Sequence, residues 1–496
     1  MFSNSLKVLV LLTLGELFFT LNLFAQAPNL VVINADVRTM DTQKPKAEAI
    51  AITDNKISAV GSNAEIRRLI TATTQVIDAK GKLIIPGFND SHVHFFSIGA
   101  RFFSLNLKNV RTSDEVIGKI KFQAKFLPKG QWMIGNFQTQ EDYPLQAIPA
   151  QKLIDEITPN HPVLIYLKGI EVVFANSLAF KIAGIENNSN GILRDSAVNL
   201  VRAKIPITSY NTSPFIAEAA TDYAASVGVT SVQDVHSDDS LEIFRQLQRQ
   251  GKLKTRIYDC ISLSNWQKLA NQGIRRASGD AMLRQGCLKD ASNGEAEEIP
   301  DLTGKIQAAD KADLQVMMHA IGSRSNDIVL TVFENVLKQN GAKDRRFRIE
   351  HAHNFRSEDL KRFVATKTIA SMQPFLFFYR GNEYSLLFRQ MIDSKALLSF
   401  GSDANIVELN PLLGIHAAVY NETSKKGITV EEAVRAYTLD AAYAEFQETV
   451  KGSLTVGKLA DLVILSENIF TIKPQEIDKV KVLQTVMDGK IVYTAK

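Results

Sequence analysis

The chain has 496 residues, with 57 basic and 53 acidic side chains giving a formal net charge of +4; that near-balance, with no dense Lys/Arg block, argues against a nucleic-acid partner. Hydrophobic content of 45% and charged content of 22% place it among ordinary globular proteins, long enough for one large domain and a smaller one. Two cysteines, Cys260 and Cys287, exclude a disulfide framework and a thiolate-rich zinc site. They leave a single bridge open and leave any metal to imidazoles and carboxylates.

Residues 1–27 read as an export signal. Lys7 supplies a positive start, "VLVLLTLGELFFTLNLF" an apolar run, and "AQA" at 25–27 a small-residue cleavage site. The expected location is therefore periplasmic or secreted. Glu16 interrupts the apolar run and argues against a stable membrane span, and no later stretch is long and apolar enough for one. "NLVVINADVRTM", "AEAIAITDNKISAVG" and "TQVIDAKGKLIIPGF" follow as short strands punctuated by Asp54-Asn55 and Gly81. "GKLADLVILS" and "VKVLQTVMDGKIVYTA" at the far end share that texture. Neither half has enough strands for a core, so 28–85 and 452–496 are expected to form one small β-sandwich domain from both chain ends.

Directly after "KLIIPGF" comes "NDSHVH". On a strand, residues i and i+2 face one way, so His92 and His94 can clamp a divalent ion. Residues 105–205 fit no simple alternation and read as an inserted lid or subdomain, with "QTQEDYP" at 138–144 a candidate lid segment. From there strands alternate with helices. "VTSVQDV" follows a helix started by Ser213 and Pro214. "LQVMMHAIG" precedes the helical "SNDIVLTVFENVLKQNG", and "RFRIEHAH" precedes "SEDLKRFVAT". "TIASMQPF" and "ALLSFGSDAN" lead to "ITVEEAVRAYTLDAAYAEF", whose Thr429 and Glu432 match a capping box. Such alternation predicts an α/β fold with a parallel sheet. A (β/α)8 TIM-like barrel over 86–451 leads, with a doubly wound open sheet as the alternative.

Five candidate ligands stand where strands should end: His92, His94, His319, His351 and Asp403. In a barrel those ends share one mouth, so the five can converge into a nitrogen/oxygen site for zinc or a similar divalent ion. His161, His236, His353 and His416 read as core or loop histidines.

The order "PGFNDSHVH", "MMHAIG", "RIEHAH", "FGSDA", "YTLDAAYA" and "KGSLTVGKLADLVIL" resembles the amidohydrolase superfamily, and within it the YtcJ-like hydrolases of amidohydrolase family 3. The resemblance runs from about residue 29 to the end. It implies one or two divalent ions, zinc first among them. His92 and His94 would bind the first. His319 and His351 would bind metal or the substrate's oxygen, and Asp403 would bind metal and shuttle protons. Lys289 of "GCLK" matches a lysine that many members carboxylate into a bridge between two metals. The implied catalytic residues are Asp403, and His351 beside the oxyanion. The implied reaction is hydrolysis of a C–N bond in an amide, N-acyl or cyclic amide of small size by a metal-activated water. A homo-oligomer is compatible with all of this.

The sequence departs from that pattern at the loop after Lys289, which is short in "DASNGEAEEIPDL". Glu171 stands where relatives often have histidine, and Ser323 where they commonly have aspartate. Two other readings follow: a protein that keeps the fold and binds without turnover, and a hydrolase of another bond such as an ester.

Overall fold

The computed structural model describes residues 27–496 apart from 104, 108–109, 126, 128, 137–147, 169–171, 187–189, 206–213, 237–239, 380–384, 405 and 421–426. All of the expected export segment but Ala27, the 138–144 stretch and Glu171 lie outside the described residues.

Eight strands make the central sheet: β1 (Phe88–Val93), β2 (Val229–Val235), β3 (Arg256–Ser262), β4 (Leu283–Ala291), β5 (Gln315–Ile321), β6 (Arg348–His353), β7 (Ile369–Met372) and β8 (Leu397–Phe400). They pair in chain order, every pair parallel. The period-two pattern of the strands explains the two surfaces. Val232, Ile257, Leu288, Met318, Ile349 and Leu398 join the main apolar cluster under the surrounding helices. Residues between them, such as Gln233, Arg348 and Ser371, bond to one another across strands inside the sheet. The open-sheet alternative is thereby set aside in favour of a nearly closed TIM-like barrel.

Closure runs through the segment after β8. Asp403 donates its backbone N–H to His92 O at 2.8 Å, and His94 donates to Ala404 O at 2.6 Å. The buried Asp90 carboxylate accepts the Ser402 N–H at 3.0 Å and the His92 N–H at 3.0 Å. Gly401 permits this approach, because a Cβ there would stand 2.5 Å from His92 N and 2.8 Å from Asp90 Oδ1. At the opposite end a buried polar plug fills the barrel. Glu445 accepts from Asn89 Nδ2 at 2.6 Å, pairs with Lys451 at 2.7 Å, and also takes Arg284.

Two further sheets come from the chain ends. One holds Leu30–Ile33, Ala49–Thr53, Lys56–Gly61 and Gln75–Asp78. The other joins Asp36–Arg38, Lys46–Ala47 and Leu83–Pro86 to Leu462–Leu465, Val482–Met487 and Lys490–Thr494. They share a core that includes Val32, Ile50, Ile52, Ile84, Leu462, Ile464 and Val486. The run "NLVVINADVRTM" is therefore two strands in different sheets. Arg256 ties this region to the barrel through Asp461 at 2.7 Å and Asp488 at 2.9 Å. Between β1 and β2 the chain builds a five-stranded sheet from Leu105–Asn106, Met133–Asn136, Val163–Lys168, Val172–Ala175 and Ile192–Arg194, with its own apolar clusters.

Local signals read from the sequence recur. Thr429 and Glu432 form a reciprocal capping box, and Gly341 ends the helix Ser323–Asn340. The segment after Thr429, expected as one helix, is two. Val430–Ala436 stops at Tyr437-Thr438, and Leu439–Ala444 follows. Tyr437 is fully buried and donates its hydroxyl to Gly401 O. Cys260 and Cys287 face each other in register on β3 and β4 and form a disulfide. Among the described residues no helix is long and apolar enough to cross a membrane.

Replacing Gly401 with alanine forces β8 away from β1. Overpacking at such a contact costs about 1–3 kcal/mol or more, so Gly401→Ala is expected to lower the midpoint of chemical denaturation. An unchanged midpoint in a urea titration contradicts the close-approach account.

Candidate metal centre

His92 is the fifth residue of β1 and His94 lies one past its end. The closure with the segment after β8 then sets Asp403 against both. Asp403 Oδ1 stands 3.5 Å from His92 Nε2 and 3.5 Å from His94 Nε2. One ligand atom from each of the three can be chosen so that all lie within 4.8 Å of one another.

Each imidazole is held by its other nitrogen. His92 Nδ1 donates to Glu350 Oε2 at 2.5 Å, and His94 Nδ1 donates to Val235 O at 2.7 Å. Both Nε2 lone pairs therefore point toward the Asp403 side, and the tautomer is set by the partner. His351 follows the same rule. Gln373 donates its amide N–H to Ser371 O at 3.1 Å, which leaves Gln373 Oε1 to accept from His351 Nδ1 at 2.7 Å. His319, on β5, lies 4.3 Å from His351 between ring centroids, and among the described residues neither of its ring nitrogens has a hydrogen-bond partner. His92 and His351 are 5.0 Å apart by the same measure.

The backbone bends to make this arrangement. Glu350 points into the barrel, so strict alternation would turn His351 outward. Instead His351 and Ala352 adopt left-handed φ values of 72° and 47°, where the β5–β6 register shifts. Asp403 also sits at φ 57°. Non-glycine residues in this region cost about 1–3 kcal/mol each, and here they aim the candidate ligands.

Lys289, on β4, is partly buried and faces the same space. Burial lowers its pKa, while Glu350 and Asp403 oppose that shift. Among the described residues its ammonium makes no ion pair. Burial lowers His92 against the pull of Glu350. His319 is pushed down to about 4, by burial and then by Lys289. His351 falls well below the usual value through burial and the neighbouring imidazoles. Neutral imidazoles are the ligating form. Asp403 works the other way: burial would raise it, but the adjacent His94 and His92 rings lead a larger lowering and keep it a carboxylate, and the same proximity to Asp403 raises His94.

Beneath the histidines lies an ion pair on which the sequence reading was silent. Burial would raise Glu350, but Arg348 and His92 hold it down at about 2. Arg348 Nε donates to Glu350 Oε1 at 2.8 Å and Nη2 donates to Ser371 Oγ at 3.0 Å. Arg348 also donates to Gln233 Oε1 and Ser91 O. Four strands thus meet at one guanidinium. The signal was present in "RFRIEHAH": the opposite charges of Arg348 and Glu350, at i and i+2 of a buried strand, must share the inner face.

The remaining residues of interest lie elsewhere. His236 pairs with Asp259, and His161 is buried with Nδ1 3.3 Å from Gln131 O. His416 is buried on the helix Pro411–Val419. His353 is buried beyond His351, their ring centroids 5.4 Å apart. Ser323 is exposed in the first turn of its helix. The short loop after β4 is a compact turn, in which Glu298 accepts from Ser292 Oγ at 2.5 Å and from Gly294 N at 3.0 Å.

The donor set suits a divalent cation: two anchored imidazoles and a carboxylate at one point, with a third anchored imidazole beside them. A parallel barrel with this grouping at its C-terminal mouth is the architecture of a barrel hydrolase. The amidohydrolase family model matches residues 75–493, and the chain belongs to that family. Protein LONG AFTER FAR-RED 3 of Arabidopsis thaliana is 30% identical over 94% of this chain and 91% of its own length. The N-substituted formamide deformylase of Arthrobacter pascens is 26% identical over 94% of this chain and 99% of its own. Among solved structures, an uncharacterized metal-dependent hydrolase from Pyrococcus furiosus superposes with a TM-score of 0.70 at 24% identity. That match covers 90% of this chain and 99% of the other.

If Glu350 sets the His92 tautomer, its neutral amide weakens the centre. Loss of such an outer partner lowers metal affinity about 10–100-fold. Glu350→Gln is expected to show that loss in a chelator competition titration. Wild-type affinity in a folded Glu350→Gln protein contradicts the role.

Proposed function

We propose that this amidohydrolase-family hydrolase cleaves a C–N bond, in an amide, N-acyl or cyclic amide substrate, with a water activated at the His92–His94–Asp403 centre. The observation that carries the reading is the convergence of three ligand atoms within 4.8 Å, with both imidazoles anchored through Nδ1. The similarity to a formamide deformylase along nearly the full length of both chains supports the choice of bond. Zinc is the proposed ion, because imidazole and carboxylate donors suit it. We also propose that Lys289, carboxylated, together with His319 and His351 would hold a second ion. A divalent cation bound there supplies Lewis acidity toward a water and a carbonyl oxygen.

The chain's own residues divide the remaining work. Asp403, kept ionised, takes the proton of the attacking water and returns it to the leaving nitrogen. His351 donates Nδ1–H to Gln373, so its neutral ring offers only a lone pair at Nε2. That suits a ligand better than a donor to an oxyanion, the role the family resemblance had implied. His319 has no fixed partner and can present an N–H to the carbonyl oxygen as charge develops there. The polar plug at the far end of the barrel closes the interior behind the centre. We further propose export of the protein, on the strength of residues 1–27.

The test is turnover of a panel of N-formyl, N-acyl and cyclic amides alongside matched esters, with and without Asp403→Asn. Hydrolysis of amides by the wild type, reduced by about 10²-fold or more in Asp403→Asn, is expected. Preference for esters moves the assignment to another bond. Metal binding with no turnover on any member assigns a binding role.

A further inference from the structure

His94 is a single residue between the end of β1 and the helix Phe95–Phe103. The sheet ladder stops before it, so its place is set by bonds around that junction. Its own N–H goes to Ala404 O at 2.6 Å, on the β8 side. The end of β2 holds the other side. Val235 O accepts from the His94 ring at 2.7 Å, and Asp234 Oδ1 accepts the N–H of the next residue, Phe95, at 2.8 Å.

Asp234 stands where packing alone calls for an apolar side chain. Gln233 bonds inside the barrel, and Val232 packs under the helices. Alternation puts Asp234 on the outer face with Val232, and it is only 1% exposed. Asp259, the carboxylate of the adjacent strand β3, is matched by His236. Asp234 Oδ2, among the described residues, has no hydrogen-bond partner. Burying a carboxylate with an unmatched oxygen is unfavourable, which draws attention to the bond that Asp234 does make. An N–H in the first turn of a helix has no partner within the helix, and a carboxylate is favoured there by charge as well. Phe95 is fully buried and stacks on Phe244 with ring centroids 5.6 Å apart, so solvent cannot replace the carboxylate.

We propose that Asp234 is a positioning residue: by holding the Phe95 N–H it fixes the turn that carries His94, and so sets the direction of His94 Nε2 at the metal centre. It acts through His94, not on the ion. The proposal rests on the reading of His92, His94 and Asp403 as that centre.

A double-mutant cycle on zinc affinity tests it. Affinity is read by chelator competition for the wild type, Asp234→Ala, Asp234→Asn, His94→Ala and Asp234→Ala/His94→Ala, with folding checked by circular dichroism. Asp234→Ala is expected to weaken binding about tenfold, as for loss of an outer partner of a ligand. Asp234→Asn keeps an oxygen for the Phe95 N–H and is expected to recover most of that loss. With His94 already alanine, Asp234→Ala is expected to cost nothing further, whereas a merely structural role would weaken both backgrounds alike. Should Asp234→Ala fail to fold, Asp234→Leu, which suits the apolar layer, takes its place in the cycle. Equal losses in the two backgrounds, wild-type affinity in a folded Asp234→Ala protein, or an Asn variant as weak as the Ala variant overturns the proposal alone. A wild type that binds no zinc removes the metal centre itself, and the proposal with it.

Discussion

The seam between β1 and the segment after β8 is the constraint on which the rest depends. Two backbone hydrogen bonds, Asp403 N to His92 O and His94 N to Ala404 O, close the barrel there. They also bring Asp403 to His92 and His94, two candidate ligands more than 300 residues earlier in the sequence. Fold closure and site assembly are one event. Asp90 accepts from both sides of the seam, and Gly401 lets the two backbones approach. Asp90 is itself pushed up to about 7, chiefly by burial, so a carboxyl group is held in a dry place for a geometric purpose.

A second constraint lies one layer deeper. Burying Arg348 and Glu350 fully is costly unless every donor and acceptor is matched. Here Gln233, Ser91, Ser371 and His92 complete the set. An apolar pair would fill the same space with less desolvation. What it could not do is tell His92 which nitrogen to present. The polar interior reads as a device for orientation, and the left-handed residues His351 and Asp403 as its backbone counterpart.

Much of this was legible in the sequence. Strand–helix alternation and the position of each histidine after an apolar run pointed to the barrel and its mouth. The capping box at Thr429 and the stop at Gly341 follow from local chemistry that tertiary packing did not override. What escaped was set by contacts between distant segments. The break at Tyr437 depends on the burial of that ring against Gly401. Glu350 and Gln373 matter only because of what they touch across strands. His351 reaches the mouth through a backbone turn that no period-two pattern announces. The disulfide was left open because two cysteines reveal no spacing, whereas register places them face to face.

The most direct measurement is the metal content of the purified protein, with folding checked by circular dichroism, for the wild type and for a His92→Ala/His94→Ala protein. The account predicts tightly held divalent metal in the wild type and its loss in a double variant that remains folded. A wild type that holds no metal after loading and desalting, or a variant that keeps all of it, would contradict the claim that the seam builds a metal centre.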